Sequence, residues 1–510
     1  MIRRPTAVAV AVVALLAAAC SSGGASTQHP PTPAVSVTPT PSSSTAPSPT
    51  APDLARFYHQ RLAWHGCGGG FSCASMTVPL DYAHPDAGTM QVAVTRKHAT
   101  GTRYGALIVN PGGPGASGVE FAKGCVACFS ALTKHFDLAS FDPRGTGHSR
   151  PVRCLTYSQL DSFFDLPPVP ATPSERAAFI AGFREFADGC YRRNGSYLSH
   201  IATVDSARDM DVFRALLGDA KLTYYGASYG TFLGAQYAQL FPTHIRAMVL
   251  DGAVDPAEDT LTSSGVQAIG FETNLNDFLA ACVRSGSCPL GSSISAAHQG
   301  FDALQAKVSE HPEAVGSRHL GAAEFIYGVA DGFYSTADWS YLQRGLGAAQ
   351  RGDGTILMKF FDDLVERNPN GTYSNLQEAF NAISCVDRQT PTSLSAFAAT
   401  TQEYQSRAPH FAAPIVWSSA VCAYWHVPPV ERAGPVSAPG APPIVVIGTT
   451  HDPATPYTEA VALARQLRGV LVTLEGSGHT AYLRGDGCIS SLINPYVISL
   501  RVPAAGRRCA

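Results

Sequence analysis

The pentapeptide Gly226-Ala227-Ser228-Tyr229-Gly230 has the composition that can expose a reactive serine at a sharp turn. A β-type run at 221–225 precedes it, and a helical run at 231–238 follows directly. In such a strand–turn–helix setting the serine hydroxyl stands above the sheet, and small neighbours let one backbone segment pass close to another. A chance match is the alternative, since the chain has 47 glycines. The flanking pattern favours Ser228 as a nucleophile.

A serine hydroxyl is a poor nucleophile unaided, so Ser228 needs a general base, and the base needs an acid that orients it. Of 16 histidines, His479 fits best, because it follows the last predicted strand in the flexible turn Gly476-Ser477-Gly478-His479. Asp452 ends the strand before it and leaves room for one helix and one strand in between. We therefore predict Ser228, Asp452 and His479 as a catalytic triad, in the chain order of an α/β-hydrolase.

Two other residues compete for these roles. His148 lies in a Gly-rich turn after a predicted strand and is the rival base. Asp251 ends the strand that follows the nucleophile strand and is the rival acid. A turn or capping role in the segment 251–256 suits Asp251 better, because aspartates commonly bond to backbone in such turns.

The negative charge that develops on an attacked carbonyl oxygen needs two preorganised N–H donors. The backbone N–H of Tyr229, directly after the nucleophile, is the first predicted donor. The second is predicted at Gly113, in the loop 111–115, where glycines permit close backbone approach. A plain tight turn is the alternative for this loop. It is not a phosphate loop, because no Lys-Ser/Thr follows at the required spacing.

Short apolar runs end repeatedly in loops rich in Gly, Pro, Asp or His. The runs are 106–110, 136–141, 221–225, 245–250, 443–448 and 470–475. Helical segments separate them, which predicts a mostly parallel sheet buried on both faces. Active groups gather beyond the carboxyl ends of such strands, where the loops carrying Ser228, Asp452 and His479 would converge. The predicted fold class is therefore α/β, with helices on both faces of the central sheet.

Together these motifs resemble the prolyl-aminopeptidase and tripeptidyl-aminopeptidase family of α/β-hydrolases. The matching segments are 110–115 (NPGGPG), 142–147 (DPRGTG), 225–231 (YGASYGT), 250–256 (LDGAVDP), 452–456 (DPATP) and 478–480 (GHT), with the Cys488/Cys509 pair. The C-terminal part also resembles secreted actinobacterial tripeptidyl aminopeptidases and mycobacterial cell-envelope serine proteases. The resemblance implies the triad named above and activity on peptides or small esters. The glycine loop departs from the prolyl aminopeptidases, since it begins with Asn110-Pro111 instead of His, and this leaves the oxyanion donor and a prolyl preference open.

The region 257–440 breaks the strand–helix alternation, and its mixed helical spacing predicts a mainly helical lid between the sixth and seventh strands. The hydrolase domain then comprises 54–256 and 441–510. The resemblance implies that the lid shapes the substrate pocket and supplies carboxylates for the free amino end of a peptide. The acidic candidates, each of which could equally be a solvated helix residue, are Glu272, Asp277, Glu324 and Asp331.

Residues 1–53 are predicted to lie outside the fold. An apolar run at 7–19 follows two arginines, is too short to span a bilayer, and ends in Leu-Ala-Ala-Ala-Cys20, which resembles the lipobox of bacterial lipoproteins. We predict a signal peptide at 1–19, a lipidated, palmitate-bearing Cys20, and a Pro/Ser/Thr-rich tether at 20–53. An ordinary signal peptide followed by an unrelated cysteine is the alternative. The pattern indicates an exported protein anchored to the outer face of the cell membrane, with shedding through the tether left open.

The cysteines agree with export. Of 13, all but Cys20 fall as near neighbours, which predicts six local disulfides in an oxidising compartment. The predicted pairs are Cys67/Cys73, Cys125/Cys128, Cys154/Cys190, Cys282/Cys288, Cys385/Cys422 and Cys488/Cys509. A thioredoxin-like redox role for the Cys-Val-Ala-Cys segment lacks the surrounding βαβ pattern, and no second pair stands at zinc-ligand spacing.

Composition narrows the function class further. A hydrophobic content of 45% supports a sizeable core, and a formal charge of −3 without a basic stripe gives no indication of a nucleic-acid partner. We predict a lipid-anchored serine exopeptidase that acts on peptides or small acyl substrates and needs no cofactor or metal ion. The alternatives are a carboxylesterase or lipase with the same triad, and a non-catalytic binding lipoprotein of the cell envelope.

Overall fold

A computed structural model describes residues 52–170, 172–430 and 433–510. The described strands are β1 (His65–Gly66), β2 (Ser72–Pro79), β3 (Thr89–Lys97), β4 (Gly105–Asn110), β5 (Phe136–Phe141), β6 (Leu222–Ala227), β7 (Ile245–Asp251), β8 (Glu313–Val315), β9 (Arg318–Leu320), β10 (Val445–His451), β11 (Val470–Ser477) and β12 (Arg507–Cys509). The described helices are α1 (Pro52–Tyr58), α2 (Gly118–Gly124), α3 (Tyr157–Phe164), α4 (Pro173–Asn194), α5 (Thr203–Leu216), α6 (Tyr229–Leu240), α7 (Thr260–Arg284), α8 (Ile294–Glu310), α9 (Ala322–Asp331), α10 (Trp339–Gln350), α11 (Thr355–Leu364), α12 (Leu376–Asp387), α13 (Leu394–Gln405), α14 (Ala412–Ser418), α15 (Tyr457–Gln466) and α16 (Gly487–Ser499). The predicted signal peptide, Cys20 and nearly all of the predicted tether lie outside the described residues.

Ten of the described strands form one mixed sheet in the order β1-β2-β3-β5-β4-β6-β7-β10-β11-β12. The pairs among β1, β2, β3 and β5 are antiparallel, and every pair from β5 onward to β12 is parallel. All residues of β4, β5 and β6 are buried, as expected for parallel strands covered on both faces. The predicted α/β class with a mostly parallel sheet is confirmed.

Side chains of the central strands alternate between two cores, one on each face of the sheet. Ile108 and Tyr224 point into one core, with residues of α5, α6 and the helices after β7. Val109 and Tyr225, one position further along the same strands, point into the other core, with residues of α2 and α16. Helices therefore cover both faces, and the loops at the carboxyl ends of the strands are left to form a site.

The segment between β7 and β10 has a different architecture. Its described elements are α7 to α14 and the separate antiparallel pair β8–β9, and we refer to it as the insertion. It follows the seventh described strand of the chain, one later than predicted, and β1, β2 and β3 all precede the first apolar run identified in the sequence. Helices α3 and α4 also contact the insertion. The ring centroids of Phe164 on α3 and Phe361 are 6.2 Å apart, and those of Phe179 on α4 and Trp417 are 5.7 Å apart.

The structure joins cysteines in the six pairs that their spacing predicts. These disulfides are Cys67–Cys73, Cys125–Cys128, Cys154–Cys190, Cys282–Cys288, Cys385–Cys422 and Cys488–Cys509. Cys154–Cys190 joins the segment before α3 to the C-terminal part of α4. Cys385–Cys422 joins α12 to the 3₁₀ turn at Ser419–Tyr424. Among the described helices, none is both long and apolar enough to cross a membrane.

Candidate active site

Ser228 occupies the turn between β6 and α6 in a backbone conformation that few non-glycine residues adopt, with φ 55° and ψ −128°. The surrounding glycines are required sterically. A Cβ on Gly226 would lie 2.3 Å from the carbonyl oxygen of Gly230, and a Cβ on Gly230 would lie 2.8 Å from Oδ1 of Asn110. Only hydrogen at these two positions permits the turn, which is the physical reason for the pentapeptide pattern.

Backbone hydrogen bonds hold this strained residue in place. The Ser228 N–H donates to the carbonyl oxygen of Asp251 at 2.9 Å. The Ser228 carbonyl oxygen accepts from Thr231, at 2.8 Å from the N–H and 2.6 Å from the hydroxyl. Hydrogen bonds on both sides of the turn thus fix the backbone of Ser228. Ser228 lines a cavity at the end of the sheet.

His479 and Asp452 form a hydrogen-bonded pair at the same end of the sheet. Nδ1 of His479 lies 2.8 Å from Oδ1 and 3.0 Å from Oδ2 of Asp452, whose side chain is fully buried. The carboxylate also accepts backbone N–H groups of Ala454, Thr455 and Thr480. Because Nδ1 donates to the carboxylate, Nε2 is left as the basic nitrogen. Nε2 is buried and has no hydrogen-bond partner within the described part of the chain.

The rival acid and base have other environments. Asp251 is fully buried and accepts from the Tyr225 hydroxyl at 2.8 Å and from the backbone N–H groups of Ala481 and Tyr482 at 2.9 Å each. It therefore anchors the loop that carries His479, and burial raises its pKa. His148 is exposed, and the cavity lining does not include it.

The glycine loop packs directly against the nucleophile turn. A Cβ on Gly112 would lie 2.8 Å from Cβ of Ser228 and 3.0 Å from the backbone nitrogen of Tyr229. The Gly112 N–H is already used, because it donates to Oδ1 of Asn110 at 3.0 Å. Gly113 and Tyr229 both line the cavity beside Ser228. Tyr229 is the first residue of α6, where backbone N–H groups have no partner within the helix.

The cavity has a volume of about 640 Å³ and is lined by residues of the sheet with its flanking helices and by residues of the insertion. Ser228, Tyr229, Gly113 and His479 all line it. The rest of its lining is rich in aromatic residues, which come from the insertion, from α6, and from α3 and α4, a pair of helices that the sequence pattern did not assign to the pocket. The aromatic wall residues are Phe163, Phe164, Phe179, Phe183, Phe232, Phe271, Tyr327, Tyr334, Phe361 and Phe380.

Of the four acidic candidates in the insertion, Asp331 alone lines the cavity. Glu272 accepts from His410, Asp277 contacts His451 and Ser477, and Glu324 accepts the Gly321 N–H in the first turn of α9. Burial, reinforced by the nearby charges of Asp363 and Asp338, raises the pKa of Asp331 to about 8, against an opposing effect of Lys359.

Sequence reasoning missed several charged residues of the cavity wall. Asp363 on α11, Arg388 after α12 and Glu459 on α15 all line it. Burial raises the pKa of Glu459 well above its ordinary value, and its carboxylate accepts the Asp255 N–H at 2.9 Å. None of these residues stands at a spacing that would have singled it out, because they converge only through tertiary packing.

A buried chain of polar contacts connects the nucleophile turn to the insertion. The Tyr229 hydroxyl is hydrogen-bonded to Oγ1 of Thr203, the first residue of α5. Oγ1 of Thr203 is also 2.6 Å from Oδ2 of Asp387, at the end of α12, and the Thr203 N–H donates to Oδ1 at 2.7 Å. The residue that follows Ser228 is thereby tied to a helix of the insertion.

One group among the described residues has metal-ligand spacing, namely Asp486, Cys488 and Cys509. The two cysteines are joined to each other in a disulfide, so they present no thiolate. This group therefore offers no site for a thiolate-bound metal.

Comparison with known proteins identifies the family of this chain. A family model described as the alpha/beta hydrolase fold matches residues 105–486. Serine protease Hip1 of Mycobacterium tuberculosis is 37% identical over 458 residues, 86% of this chain and 88% of that protein. Carboxylesterase B of the same species is 38% identical over 447 residues, 86% of each chain. Tripeptidyl aminopeptidase of Streptomyces lividans is 31% identical over 479 residues, 89% of this chain and 88% of that protein. The resemblance inferred from the motifs is confirmed, and the chain belongs to the α/β-hydrolase family.

Proposed function

We propose that the protein is an exported serine exopeptidase of the tripeptidyl or prolyl aminopeptidase type, which cleaves peptides through an acyl-enzyme. The observation that carries the proposal is the pairing of His479 with Asp452 on the same cavity as Ser228, whose backbone is held in the conformation of a nucleophile turn. These are the three groups that acyl transfer requires: a nucleophile, a base and an acid that orients the base.

In the first half of the reaction, Oγ of Ser228 attacks the scissile carbonyl carbon while Nε2 of His479 takes the hydroxyl proton. Asp452 accepts the Nδ1–H bond and stabilises the imidazolium. The N–H groups of Tyr229 and Gly113 stabilise the oxyanion, with each donor contributing about 2.7–4 kcal/mol to the transition state. The C–N bond then breaks as the imidazolium returns its proton to the leaving amine. Water, deprotonated by the same base, hydrolyses the acyl-enzyme and regenerates Ser228.

Asp331 favours a peptide with a free amino end over other acyl substrates. Its carboxylate lines the cavity, and no hydrogen bond from the described residues reaches it. Asp363, which also lines the cavity and is ion-paired with Lys359, is a second carboxylate near it. A substrate ammonium would compensate the charge of the ionised Asp331 carboxylate, which is costly to leave unpaired at a buried position. We assign Asp331 to the binding of the substrate amine.

A carboxylesterase is the second candidate. The same acyl transfer cleaves esters, and a relative of 38% identity is named Carboxylesterase B, whereas the relatives of 37% and 31% identity are named a serine protease and a tripeptidyl aminopeptidase. An esterase for neutral acyl groups has no use for a carboxylate in its cavity. Asp331 is therefore the residue whose role separates the two candidates.

Two measurements test the proposal. A fluorophosphonate probe should label wild-type protein at Ser228, and a Ser228→Ala variant should not be labelled; absence of labelling in the wild type would leave only the binding-lipoprotein alternative. Free and N-acetylated forms of one tripeptide amide should then be compared. We expect the free form to be cleaved with at least a tenfold higher kcat/KM, since the ammonium gains a charge-assisted contact. Equal rates would overturn the aminopeptidase assignment and favour the esterase.

We also propose that Cys20 is the lipidated N-terminus of the mature protein and anchors it to the outer face of the cell membrane. The apolar run followed by Ala-Ala-Ala-Cys supports this, together with cysteines paired as in oxidising compartments. Metabolic labelling with a palmitate analogue should mark the wild-type protein in the membrane fraction. A Cys20→Ser variant should be unlabelled and released. Label that persists in this variant would refute the anchor.

A further inference from the structure

Tyr334 connects the insertion to the loop of His479. The proposed mechanism gives this residue no role. It lies three residues beyond the end of α9, and its N–H donates to the carbonyl oxygen of Asp331 at 3.1 Å. Its own carbonyl oxygen accepts the backbone N–H of His479 at 2.9 Å. Its ring meets the His479 imidazole edge-to-face, with ring centroids 5.3 Å apart and planes at 85°.

The approach between the two segments is tight. Gly478 has φ 105°, and a Cβ there would lie 3.3 Å from the Tyr334 carbonyl oxygen. On the other side, the Tyr334 ring contacts the Phe271 ring of α7 at 6.1 Å. Tyr334 therefore cannot shift without moving either the base loop or the helices of the insertion.

The imidazole needs support on this side. Asp452 holds the ring at Nδ1, but Nε2 at the opposite end has no hydrogen-bond partner within the described part of the chain. A ring fixed at one nitrogen can still tilt about that bond. An edge-to-face aromatic contact restricts this tilt, because such ring pairs have a preferred geometry.

We infer that Tyr334 is a positioning residue that keeps Nε2 of His479 directed toward Ser228, so that the insertion completes the general base. The inference rests on the proposed function. Asp331, which we assign to substrate binding, and Tyr334, which orients His479, then belong to the same turn of the chain. The insertion then acts on the chemical step as well as on substrate binding.

The test compares three substitutions at this position. In Tyr334→Ala and Tyr334→Leu, the rate constant for labelling of Ser228 by a small fluorophosphonate should fall about tenfold, and kcat for a tripeptide amide should fall equally, with KM within about threefold. Tyr334→Phe keeps the ring and should restore both rates to within about twofold of wild type. The leucine variant retains apolar volume, which guards against a folding defect in the alanine variant.

A matched control separates positioning from general loss of packing. Tyr404 is a buried tyrosine of α13 in the insertion, and the cavity lining does not include it. Tyr404→Ala should lower the melting temperature and leave the labelling rate unchanged. If wild-type protein is labelled and Tyr334→Ala is labelled at the same rate, the inference is wrong while the proposed function stands. If wild-type protein is not labelled at all, both are wrong.

Discussion

The sheet end and the insertion contribute to the same cavity in different ways. At the sheet end, Ser228, Asp452 and His479 follow β6, β10 and β11, and the topology of parallel strands brings their loops to one place. In the insertion, residues such as Asp331 and Asp363 come from separate helices that share no repeating order. In the proposed mechanism, the sheet end supplies the groups for acyl transfer, and the insertion supplies residues that select the acyl substrate.

The two regions also differ in how their residues are held. Many buried backbone contacts hold the sheet end, where Asp452 and Asp251 together accept several backbone N–H groups around the base loop. In the insertion, Asp331 keeps a raised pKa and faces the cavity without a hydrogen bond from the described residues. Loops held by several buried hydrogen bonds are preorganised, whereas an unsatisfied carboxylate in a cavity is a candidate for binding a ligand.

The largest effect on kcat should come from replacing, one at a time, the two buried aspartates of the sheet end by asparagine. Asp452→Asn should lower kcat by about 10⁴-fold, because the amide favours the wrong imidazole tautomer. Asp251→Asn should lower kcat by no more than about tenfold, since Asp251 bonds to the backbone after His479 and not to the ring. Steady-state kinetics on one tripeptide amide, with melting temperatures as a folding control, measure both. A larger kcat loss for Asp251→Asn would reverse the assignment of the acid.

The same contrast explains which features were predictable from sequence. The residues Gly226, Ser228 and Gly230 are predictable because steric limits at the turn leave few alternatives. The positions of Asp452 and His479 are predictable because each follows an apolar run that predicts a strand. Local patterns of this kind are set by a few neighbouring residues.

The cavity walls were not predictable in the same way. Phe179 and Phe183 stand at helical spacing on α4, a pattern that indicates packing in general and no particular pocket. Asp331 was one of four equivalent acidic residues, and long-range packing alone distinguishes it. The segment 142–147, one of the motifs that match the family, has a structural role at Arg144, which is fully buried against Asp209 and donates to the Pro79 and Leu80 carbonyl oxygens.

A second prediction tests the selecting role of the insertion. Asp331→Asn should raise KM for a free tripeptide amide about 10- to 100-fold, because a charge-assisted bond to the ammonium is lost. KM for the N-acetylated substrate and the rate of fluorophosphonate labelling should stay within about twofold, since neither probe carries the ammonium. Asp302, an exposed aspartate of the insertion, provides the control, and Asp302→Asn should behave as wild type. An equal rise in KM for both substrates would show that Asp331 shapes the cavity without recognising the amine.

A third prediction tests whether the two regions are coupled through Thr203. Thr203→Val removes the hydroxyl that contacts Tyr229 and Asp387 and preserves the shape of the side chain. We expect kcat to fall about five- to tenfold, because a buried Tyr229 hydroxyl loses its partner at a cost of roughly 1–3 kcal/mol and the nucleophile turn loosens. Thr223→Val, in buried strand β6, is the matched control and should leave kcat unchanged. If both variants retain wild-type kcat, the sheet end works independently of this contact.

The smallest effect concerns stability and follows from the pKa of Asp331. Burial, with Asp363 and Asp338 nearby, raises this pKa to about 8, far above the 3.8 of an unperturbed aspartate, although Lys359 opposes the shift. A carboxyl with a raised folded-state pKa binds its proton more tightly in the folded protein than in the unfolded chain. Its contribution to stability is therefore complete below about pH 4 and is lost progressively as the pH rises toward 8.

Replacement by asparagine removes this dependence on pH. The melting temperature of Asp331→Asn should exceed that of wild type by about 2–5 °C at pH 8, and the difference should shrink toward zero near pH 4. The cavity still admits solvent to this carboxylate, so the gain falls well short of the full pKa difference. Scanning fluorimetry at several pH values measures it, and Glu310→Gln, at an exposed glutamate that ends α8, should show no pH-dependent difference. A gain that is constant with pH would mean that asparagine merely packs better. A gain that grows with pH, together with a higher KM for free peptides, would mean that the insertion gives up stability to hold a carboxylate for the substrate amine.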